Sequence, residues 1–574
     1  MISSCFQFAR SEIPKETKFN MTKCSRGLPR PFWLTLAAVS SVAGVGVFHA
    51  TAQSGGAFFL PGNLVLSRTV YDNNPNNVTV GMTLPPNCTG GCVNAVVNGS
   101  YPYVFNNDIV DASFGVTSKI LLDQITPAGA LVNSLEVPNS SQNLSPPTKD
   151  HMVTSFSSKS ELALNLSTDG NYLTFMGYLA PIDAIDVSNS NTPEVVDPTN
   201  PVGGSNYRVV AQVDRNGKFR FTATNAYSGN NGRAAILNKK NGANLVYMAG
   251  NAGNGCNPQP DGIIIGTGAQ ILTLTPVVRD LNAQSPGTPT PVGSFNITQL
   301  PEPPDKIGKD TNFRGLTVFG NVLYYTKGSG GNGVNTVYFV DPTGTVCTDT
   351  NGVGLPPAGA TLPTSPLAYN PNPTVIQAQG LVPNNMCILN GFPTALKSKT
   401  SFPFGIWFAN AHTLYVADEG NGTSGKTVEG FYSPAATQTT AGLQKWILVN
   451  GQWQLAYTLT AGLDLGVPYT VPSYPTGNNS GTGGTGFPWA PATDGLRNIT
   501  GIVNRNGTAT IYAITSTISG SGDQGADPNK LVVITDQIAA TTPPAGETFT
   551  TLRTAAYGEV LRGVSFTQGS VTRP

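Results

Sequence analysis

The sequence predicts an all-β protein: a single β-propeller of four-stranded antiparallel blades, most simply six of them. Three observations predict this fold. One unit of alternating apolar residues recurs along the chain, the two ends of the chain carry complementary parts of that unit, and short turns alternate with long loops. A four-stranded sheet with two apolar faces cannot bury both alone, and packing successive copies around a ring solves that problem.

Each copy of the unit contains a strand, a tight turn with Asn or Gly, a second strand ending near Tyr, a variable loop and two further strands. The clearest copy runs from Phe313 to Gly344. Other copies open at Glu161, Gly232, Phe402 and Gly495. The apolar residues alternate at period two, which is typical of strands. Each unit is therefore expected to form one four-stranded sheet.

The ends of the chain predict how the ring closes. The segment from Val560 to Gln568 copies only the first strand of a unit, whereas segments at Asn63, Ser118 and Ala130 supply the other three. A C-terminal strand would then complete the N-terminal blade and leave no open edge. Five internal openings and this shared blade make six. A seventh, degenerate blade would have to lie in residues 345–400.

Two other all-β arrangements fit the alternation: a pair of β-sandwiches and an open β-solenoid. Neither requires the terminal segments to be complementary, so the propeller is favoured.

The N-terminus predicts export. Lys23, Arg26 and Arg30 precede an apolar run from Phe32 to Phe48, and small residues follow up to Ala52. This is the pattern of a signal peptide cleaved after Ala52, and the run is short for the alternative, an uncleaved membrane anchor. Residues 1–52 are therefore assigned to an N-terminal extension and signal peptide, and 53–574 to the propeller. The expected location is secreted, either extracellular or in the periplasm or cell envelope.

The charge composition of the chain excludes some classes of binding partner. The chain has 32 basic and 32 acidic residues, and only 11% of its residues are charged. Such a balance provides no electrostatic attraction for nucleic acid or for anionic membranes. We expect no nucleic-acid partner, no membrane span after signal cleavage, and a monomer.

Five cysteines follow the predicted cleavage point. An oxidising compartment would allow Cys88 to pair with Cys92 and Cys347 with Cys387, which leaves Cys256 over. The Cys-x3-Cys spacing also suits a metal, but two further ligands with suitable spacing are missing.

Loop lengths predict where a site would lie. Connections between the first and second strands and between the third and fourth strands are short, whereas the others are long, including 345–401, 419–441 and 463–494. Numbered outward from the axis, the long connections would all lie on one face. Long insertions on one rim are where binding residues usually sit.

Four residues on that face are the candidate ligand-binding residues. Asp418 and Glu419 end a strand beside a Gly-rich loop, where they could hold a cation, with Ca²⁺ as the candidate, or act as an acid/base pair. Tyr474 and Trp489 could stack on sugar rings. The alternatives are a solvated strand end for the carboxylates and small loop cores for the aromatic rings. No other cofactor is expected.

Histidine limits the chemistry. After cleavage only His151 and His412 remain, and they are predicted on opposite faces. A two-histidine metal site or a histidine-based triad is thus disfavoured, although His151 beside Asp150 could still serve as a base. Nucleophile-elbow, phosphate-loop and dinucleotide patterns are absent.

Several motifs carry a resemblance to known propellers. With "LSTDGNYLTFMGY", "FRGLTVFGNVLYYT", "GLQKWIL" and "LRGVSFT", the chain resembles an uncharacterised family of secreted bacterial β-propeller proteins. The string "LYVADEG" is also similar to a strand of NHL-type and gluconolactonase-like propellers. The first resemblance implies fold and export. The second implies a divalent cation held by carboxylates and amides at inner-strand ends, without assigning particular residues.

Three functions follow as hypotheses. The favoured one is a non-enzymatic secreted protein that binds a glycan or an extracellular partner through its long-loop face. The second is a cation-dependent hydrolase, lactonase or lyase with carboxylates such as Asp418 and Glu419 at the channel mouth. The third is a structural envelope or matrix protein.

Overall fold

The computed structural model describes residues 57–88, 92–97, 115–142, 152–156, 162–193, 200–251, 268–274, 292–295, 312–328, 334–347, 352–365, 385–395, 401–481, 483–521 and 524–570. These residues form a β-propeller of six antiparallel blades, as the sequence predicts.

Blades 1 to 3 contain the N-terminal half of the ring, and blade 1 also takes the last strand of the chain. The strands, from the axis outward, are Glu559–Phe566, Leu64–Val70, Thr117–Ile125 and Leu131–Glu136 in blade 1; Asn165–Leu166, Tyr172–Tyr178, Arg208–Asp214 and Phe219–Thr224 in blade 2; and Gly232–Asn238, Leu245–Gly250, Ala269–Thr273 and Val292–Ser294 in blade 3.

Blades 4 to 6 complete the ring. Their strands in the same order are Phe313–Phe319, Val322–Lys327, Thr336–Val340 and Met386–Leu389 in blade 4; Pro403–Asn410, Thr413–Asp418, Gly442–Val449 and Gln452–Leu459 in blade 5; and Ala492–Val503, Thr508–Ile518, Lys530–Gln537 and Thr550–Thr554 in blade 6.

A few short elements lie outside this plan. They are the strands Thr83–Leu84, Val93–Asn94, Thr154–Ser155 and Val353–Gly354, the α-helix Ser433–Ala436, and the 3-10 helices Val187–Asn189, Lys240–Gly242 and Gln524–Ala526. Among the described residues, no helix is long and apolar enough to cross a membrane.

The ring closes through blade 1. The C-terminal strand pairs antiparallel with the first strand of the propeller, with Leu64 opposite Phe566 and Val70 opposite Glu559. The predicted closure is therefore confirmed. The described part of 345–400 belongs to blade 4, where Val353–Gly354 lies parallel to the outermost strand, so it provides no seventh blade.

Neighbouring blades bury their faces against each other. Blades 3, 4 and 5 share the largest apolar cluster among the described residues, in which Phe319 of blade 4 stacks on Phe408 of blade 5 with ring centroids 4.6 Å apart. Near the axis the backbones themselves come close. A Cβ on Gly405 would lie 2.3 Å from the carbonyl oxygen of Arg497 in the next blade. Only glycine leaves room for that approach.

The connections define two faces. We call the face with the first-to-second and third-to-fourth connections the turn face, and the opposite one the loop face. The long connections 419–441 and 460–491 lie on the loop face, as predicted. The connection 341–385 does not, although the sequence suggested a loop-face insertion at 345–401. It joins the third and fourth strands of blade 4, and an antiparallel sheet places that connection on the turn face.

Candidate functional site

Arginines recur in the loop-face halves of the innermost strands. Arg233, Arg314, Arg497 and Arg562 belong to blades 3, 4, 6 and 1. The pairing of each innermost strand with the second strand skips these residues, so each arginine lies in a β-bulge. A bulge redirects a side chain away from the usual alternation. The repeated Arg in "FRG", "LRN", "LRG" and "GRA" was the sequence signal that motif analysis overlooked.

Glu419 joins two of these arginines. Its Oε1 lies 3.3 Å from Nη2 of Arg314, and its Oε2 lies 3.2 Å from Nε of Arg497. All three side chains are buried. The ring of Phe404 lies beneath both guanidinium groups, 5.6 and 5.9 Å from their central carbons. The carboxylate therefore ties blade 4 to blade 6 across the innermost strand of blade 5.

Asp418 is fully buried beside it and accepts four hydrogen bonds. Its Oδ2 receives the backbone N–H of Phe402 at 2.7 Å, the Ser401 hydroxyl at 3.0 Å and the Gln444 amide at 3.2 Å. Its Oδ1 receives the N–H of Gly420 at 3.0 Å. Burial raises the pKa of Asp418 to about 7, although the hydrogen bonds oppose the shift.

Asp494 is a third carboxyl in this group and was not singled out from the sequence. Its Oδ1 accepts the Gln438 amide at 2.5 Å, and its Oδ2 accepts the N–H of Gly422 at 2.9 Å. Burial also raises its pKa, to about 6. The two hydrogen bonds attach blade 6 to the 419–441 loop of blade 5.

The three carboxyls connect neighbouring strands, loops and blades through hydrogen bonds and ion pairs. A carboxylate offers about four lone-pair sites, and protein donors take four on Asp418, while both oxygens of Glu419 face arginines. A divalent cation would have to displace these donors. Within the described ranges, no group of three His, Cys, Asp or Glu side chains is arranged to hold a metal ion.

Tyr474 and Trp489 lie together in the core of the loop-face connections. Their ring planes are nearly perpendicular with centroids 6.4 Å apart, and both rings are buried. The Tyr474 hydroxyl donates to Oδ1 of Asp527 at 2.7 Å. Neither ring offers an open face for a sugar in this arrangement. Asp418 and Glu419 contact loops other than the one that contains Tyr474 and Trp489. The structure therefore does not bring the four predicted residues into one open site.

Both predicted disulfides are present. Cys88 is bonded to Cys92 in the hairpin of Thr83–Leu84 and Val93–Asn94, and Cys347 is bonded to Cys387 in blade 4. Cys256 and His151 lie outside the described residues. His412 is exposed in the turn between the first two strands of blade 5, and thus on the turn face.

The turn face carries an open cleft of about 600 Å³ between blades 3 and 4. One wall is the Lys240–Gly242 turn of blade 3 with Asn321 of blade 4, and the other is the segment 361–365. The Tyr247 hydroxyl holds the second wall in place, since it donates to the Pro363 carbonyl at 2.6 Å. The described lining residues are Asn238, Lys240, Asn241, Gly242, Ala243, Asn321, Pro342, Thr361, Leu362, Pro363, Thr364 and Ser365.

The lining of the cleft combines amide, hydroxyl and ammonium groups with the apolar residues Ala243, Pro342, Leu362 and Pro363. Asn241 and Asn321 are exposed and have left-handed backbones, with φ of 52° and 59°. Asn is one of the few residues that tolerate this conformation, which is why it recurs in tight turns. The described lining contains no carboxylate, histidine or cysteine. Sequence analysis missed this site, because the two asparagines read as ordinary turn residues and 345–401 was assigned to the other face.

Comparison with known proteins identifies neither a family nor an activity for the chain. No protein-family model and no curated protein matches the chain. Three solved structures are similar at 9% identity: an ACO/RPE65 chimera (79% of this chain, 59% of that chain, TM-score 0.20), a mutant of Synechocystis apocarotenoid oxygenase (79%, 59%, 0.21) and Drosophila Semaphorin 1a, extracellular domains 1-2 (74%, 83%, 0.27). The chain thus spans 59% of the first two. At these TM-scores none of the three bears on its activity.

Proposed function

We propose that this chain is a secreted, non-enzymatic binding protein whose ligand is a glycan or a similar polyhydroxylated molecule. The observation that supports the proposal is the turn-face cleft, whose described lining offers amides, hydroxyls and one ammonium but no carboxylate, histidine or cysteine. Sequence analysis led to the same class of function but favoured the loop face. We therefore place the proposed binding site on the turn face.

The chemistry of the lining suits sugar hydroxyls. A carboxamide both donates and accepts hydrogen bonds, as a sugar hydroxyl does, and threonine and serine hydroxyls do the same. Asn241 and Asn321 project from tight turns whose backbones are fixed, so little conformational entropy would be lost on binding. A volume of about 600 Å³ lies within the usual size range of ligand sites.

The hydrolase alternative has less support. Its candidate carboxylates are occupied by protein donors, and Glu419 is neutralised by Arg314 and Arg497. An acid/base role would require one of them to reach a substrate, and both side chains are buried.

Export is part of the proposal and is supported by the cysteines. Cys347–Cys387 and Cys88–Cys92 are bonded, and disulfides persist in oxidising compartments. N-terminal sequencing of the exported chain would test it, with a mature terminus after Ala52 as the expected result. Retention of the first 52 residues on an exported or membrane-bound chain would contradict the cleavage prediction.

The binding test combines an oligosaccharide array with titration calorimetry on the best array ligand. In the double variant N241G/N321G both amides are removed while the left-handed backbones remain favourable, because glycine adopts them freely. Losing two hydrogen-bonding groups, at about 0.5–1.5 kcal/mol each, should weaken binding by about 5- to 150-fold.

Asn450 supplies the matched control. It is exposed, has a φ of 50° and lies in the turn-face connection of blade 5, away from the cleft. N450G should bind like the parent. If N450G and the double variant lost the same amount of binding affinity, the cleft would not be the binding site. If the folded parent protein bound no sugar on the array, the ligand would not be a glycan.

A further inference from the structure

A buried lysine and a buried aspartate are in contact between blades 5 and 6. Lys445 is on the third strand of blade 5, and Asp536 is on the third strand of blade 6. The Lys445 Nζ lies 2.9 Å from Oδ2 of Asp536, and both side chains have 0% exposure. Burying such a pair costs desolvation energy that the ionic attraction often fails to repay. The pair therefore calls for an explanation other than stability.

Aromatic side chains hold the pair in place. The Tyr457 hydroxyl donates to Oδ1 of Asp536 at 2.6 Å and accepts from Lys445 Nζ at 2.8 Å, and the Tyr415 hydroxyl donates to Oδ2. Lys445 Nζ also donates to the carbonyl of Gln537 at 2.6 Å. The amine nitrogen and the carboxyl carbon are thus fixed side by side in a cluster of apolar and aromatic residues.

A second carboxyl lies near this pair. Glu547, in the turn-face connection of blade 6, accepts the N–H of Gln537 on Oε1 at 2.9 Å. Its Oε2 is buried without a hydrogen-bond partner, and the charge of Asp536 acts on this carboxyl. Burial and the neighbouring Asp536 raise the pKa of Glu547 to about 7, so it can give and take a proton near neutrality.

We propose that Lys445 and Asp536 condense into an intramolecular amide bond that links blade 5 to blade 6 covalently, with Glu547 as the proton carrier. This inference concerns self-modification of the chain and is independent of the proposed ligand. A fixed amine in contact with a carboxyl is the situation in which proximity accelerates a reaction most.

The reaction balances without any external reagent. Proton transfer within the ion pair gives the neutral amine of Lys445 and the carboxylic acid of Asp536. The amine nitrogen attacks the Asp536 Cγ and forms the C–N bond. Glu547 takes the remaining ammonium proton from the tetrahedral intermediate and delivers one to the leaving hydroxyl. The C–O bond then breaks and water departs. One ammonium and one carboxylate become one amide and one water, and Glu547 ends as it began.

Burial favours the product. The ion pair keeps two charges in an apolar cluster, whereas the amide carries none. Glu547 is only partly buried, and its chain neighbours Gly546 and Thr548 are exposed. The bond would also be resistant to reduction, unlike the two disulfides.

Peptide mapping of the exported chain after disulfide reduction tests the proposal directly. We expect a branched peptide that joins the Lys445 and Asp536 segments, with the mass of one water below the sum of its parts. Recovery of the two segments only as separate, unmodified peptides would overturn the proposal. Lys119 and Glu136, a partly exposed pair at 3.6 Å, should remain unlinked in the same map.

A variant isolates the role of Glu547. E547Q keeps the side-chain shape but cannot carry the proton, and general acid–base catalysis is worth roughly 10²–10⁴-fold. The folded variant, judged by circular dichroism, should form the branched peptide at least about 10²-fold more slowly after synthesis. Linking at the parental rate would remove Glu547 from the mechanism. If the variant does not fold, the mapping of the unaltered chain still decides whether the bond exists.

Discussion

Replacing Glu419 by glutamine tests whether the charged group at the loop-face ends of blades 4 to 6 holds the ring together. The substitution preserves the size of the side chain, removes its charge and turns one of its two acceptor oxygens into an NH2 donor. Arg314 and Arg497 would then remain as two buried cations over the ring of Phe404, without the carboxylate that now contacts both.

The expected cost follows from the geometry. At 3.3 Å, and with an effective dielectric constant near 20, each ion pair has a Coulomb energy of about 5 kcal/mol before desolvation. Measured losses for removing one partner of a buried pair are about 3–5 kcal/mol, because the remaining charge stays buried. Because Glu419 contacts two cations, E419Q should lower the free energy of unfolding by about 3–5 kcal/mol and not by less.

Urea unfolding followed by tryptophan fluorescence and by circular dichroism measures the effect, provided that the two signals change together. E136Q is the matched control, because Glu136 pairs at 3.6 Å with Lys119, whose side chain is 40% exposed. Such surface pairs contribute about 0–1 kcal/mol. If E419Q and E136Q lowered the free energy of unfolding equally, the proposed tie between blades would be refuted.

Three further predictions concern stability. Removing Cys347–Cys387 by a double serine substitution should cost about 4 kcal/mol, because the bond closes a loop with a sequence separation of 40 residues. G563A should cost about 3 kcal/mol or more, since a Cβ would lie 2.3 Å from the carbonyl oxygen of Leu162. Asp418 has a pKa of about 7 when folded, above that of an unfolded aspartate. Its contribution to stability is therefore complete below about pH 4 and is lost as the pH rises to about 7, and D418N should flatten this part of the pH profile.

Each of these predictions has a control within the chain. Removing Cys88–Cys92, with a separation of only 4, should cost about 2 kcal/mol in the same urea assay, and an equal or larger loss would contradict the loop-length reasoning. G481A should be nearly neutral, because nothing lies within 4 Å of the added Cβ. For Asp418 the decisive quantity is the change in unfolding free energy between pH 4 and 8. A D418N profile with the parental slope would show that another group causes the dependence.

The axis and the cleft have different roles in this interpretation. Near the axis, bulged arginines and buried carboxyls connect neighbouring blades, and Glu419 is the clearest example. The exposed polar groups of Asn241 and Asn321 lie on the opposite face, where Asn321 accepts a hydrogen bond of 3.5 Å from Lys240 of the neighbouring blade. Such exposed side chains are available to bind a ligand.

Local patterns in the sequence determined the architecture. Period-two alternation and Asn- or Gly-containing turns predicted the blades, and the complementary ends predicted the closure that pairs Leu64 with Phe566. The Cys347–Cys387 pairing was also predicted from the sequence. The blades depend on residues that are close in sequence, and their order around the ring follows from the order of the repeats. Both can therefore be recognised in a single sequence.

Tertiary structure alone decided what the polar residues do. Asp418 and Glu419 looked like an exposed strand end, but donors from residues 401–402, 420 and 444 and arginines from two other blades surround them. The contact of Lys445 with Asp536 joins residues 91 positions apart, and the cleft is built from two blades and a misassigned connection. Burial and charge pairing depend on which blades become neighbours, and the spacing of residues along one strand does not carry that information.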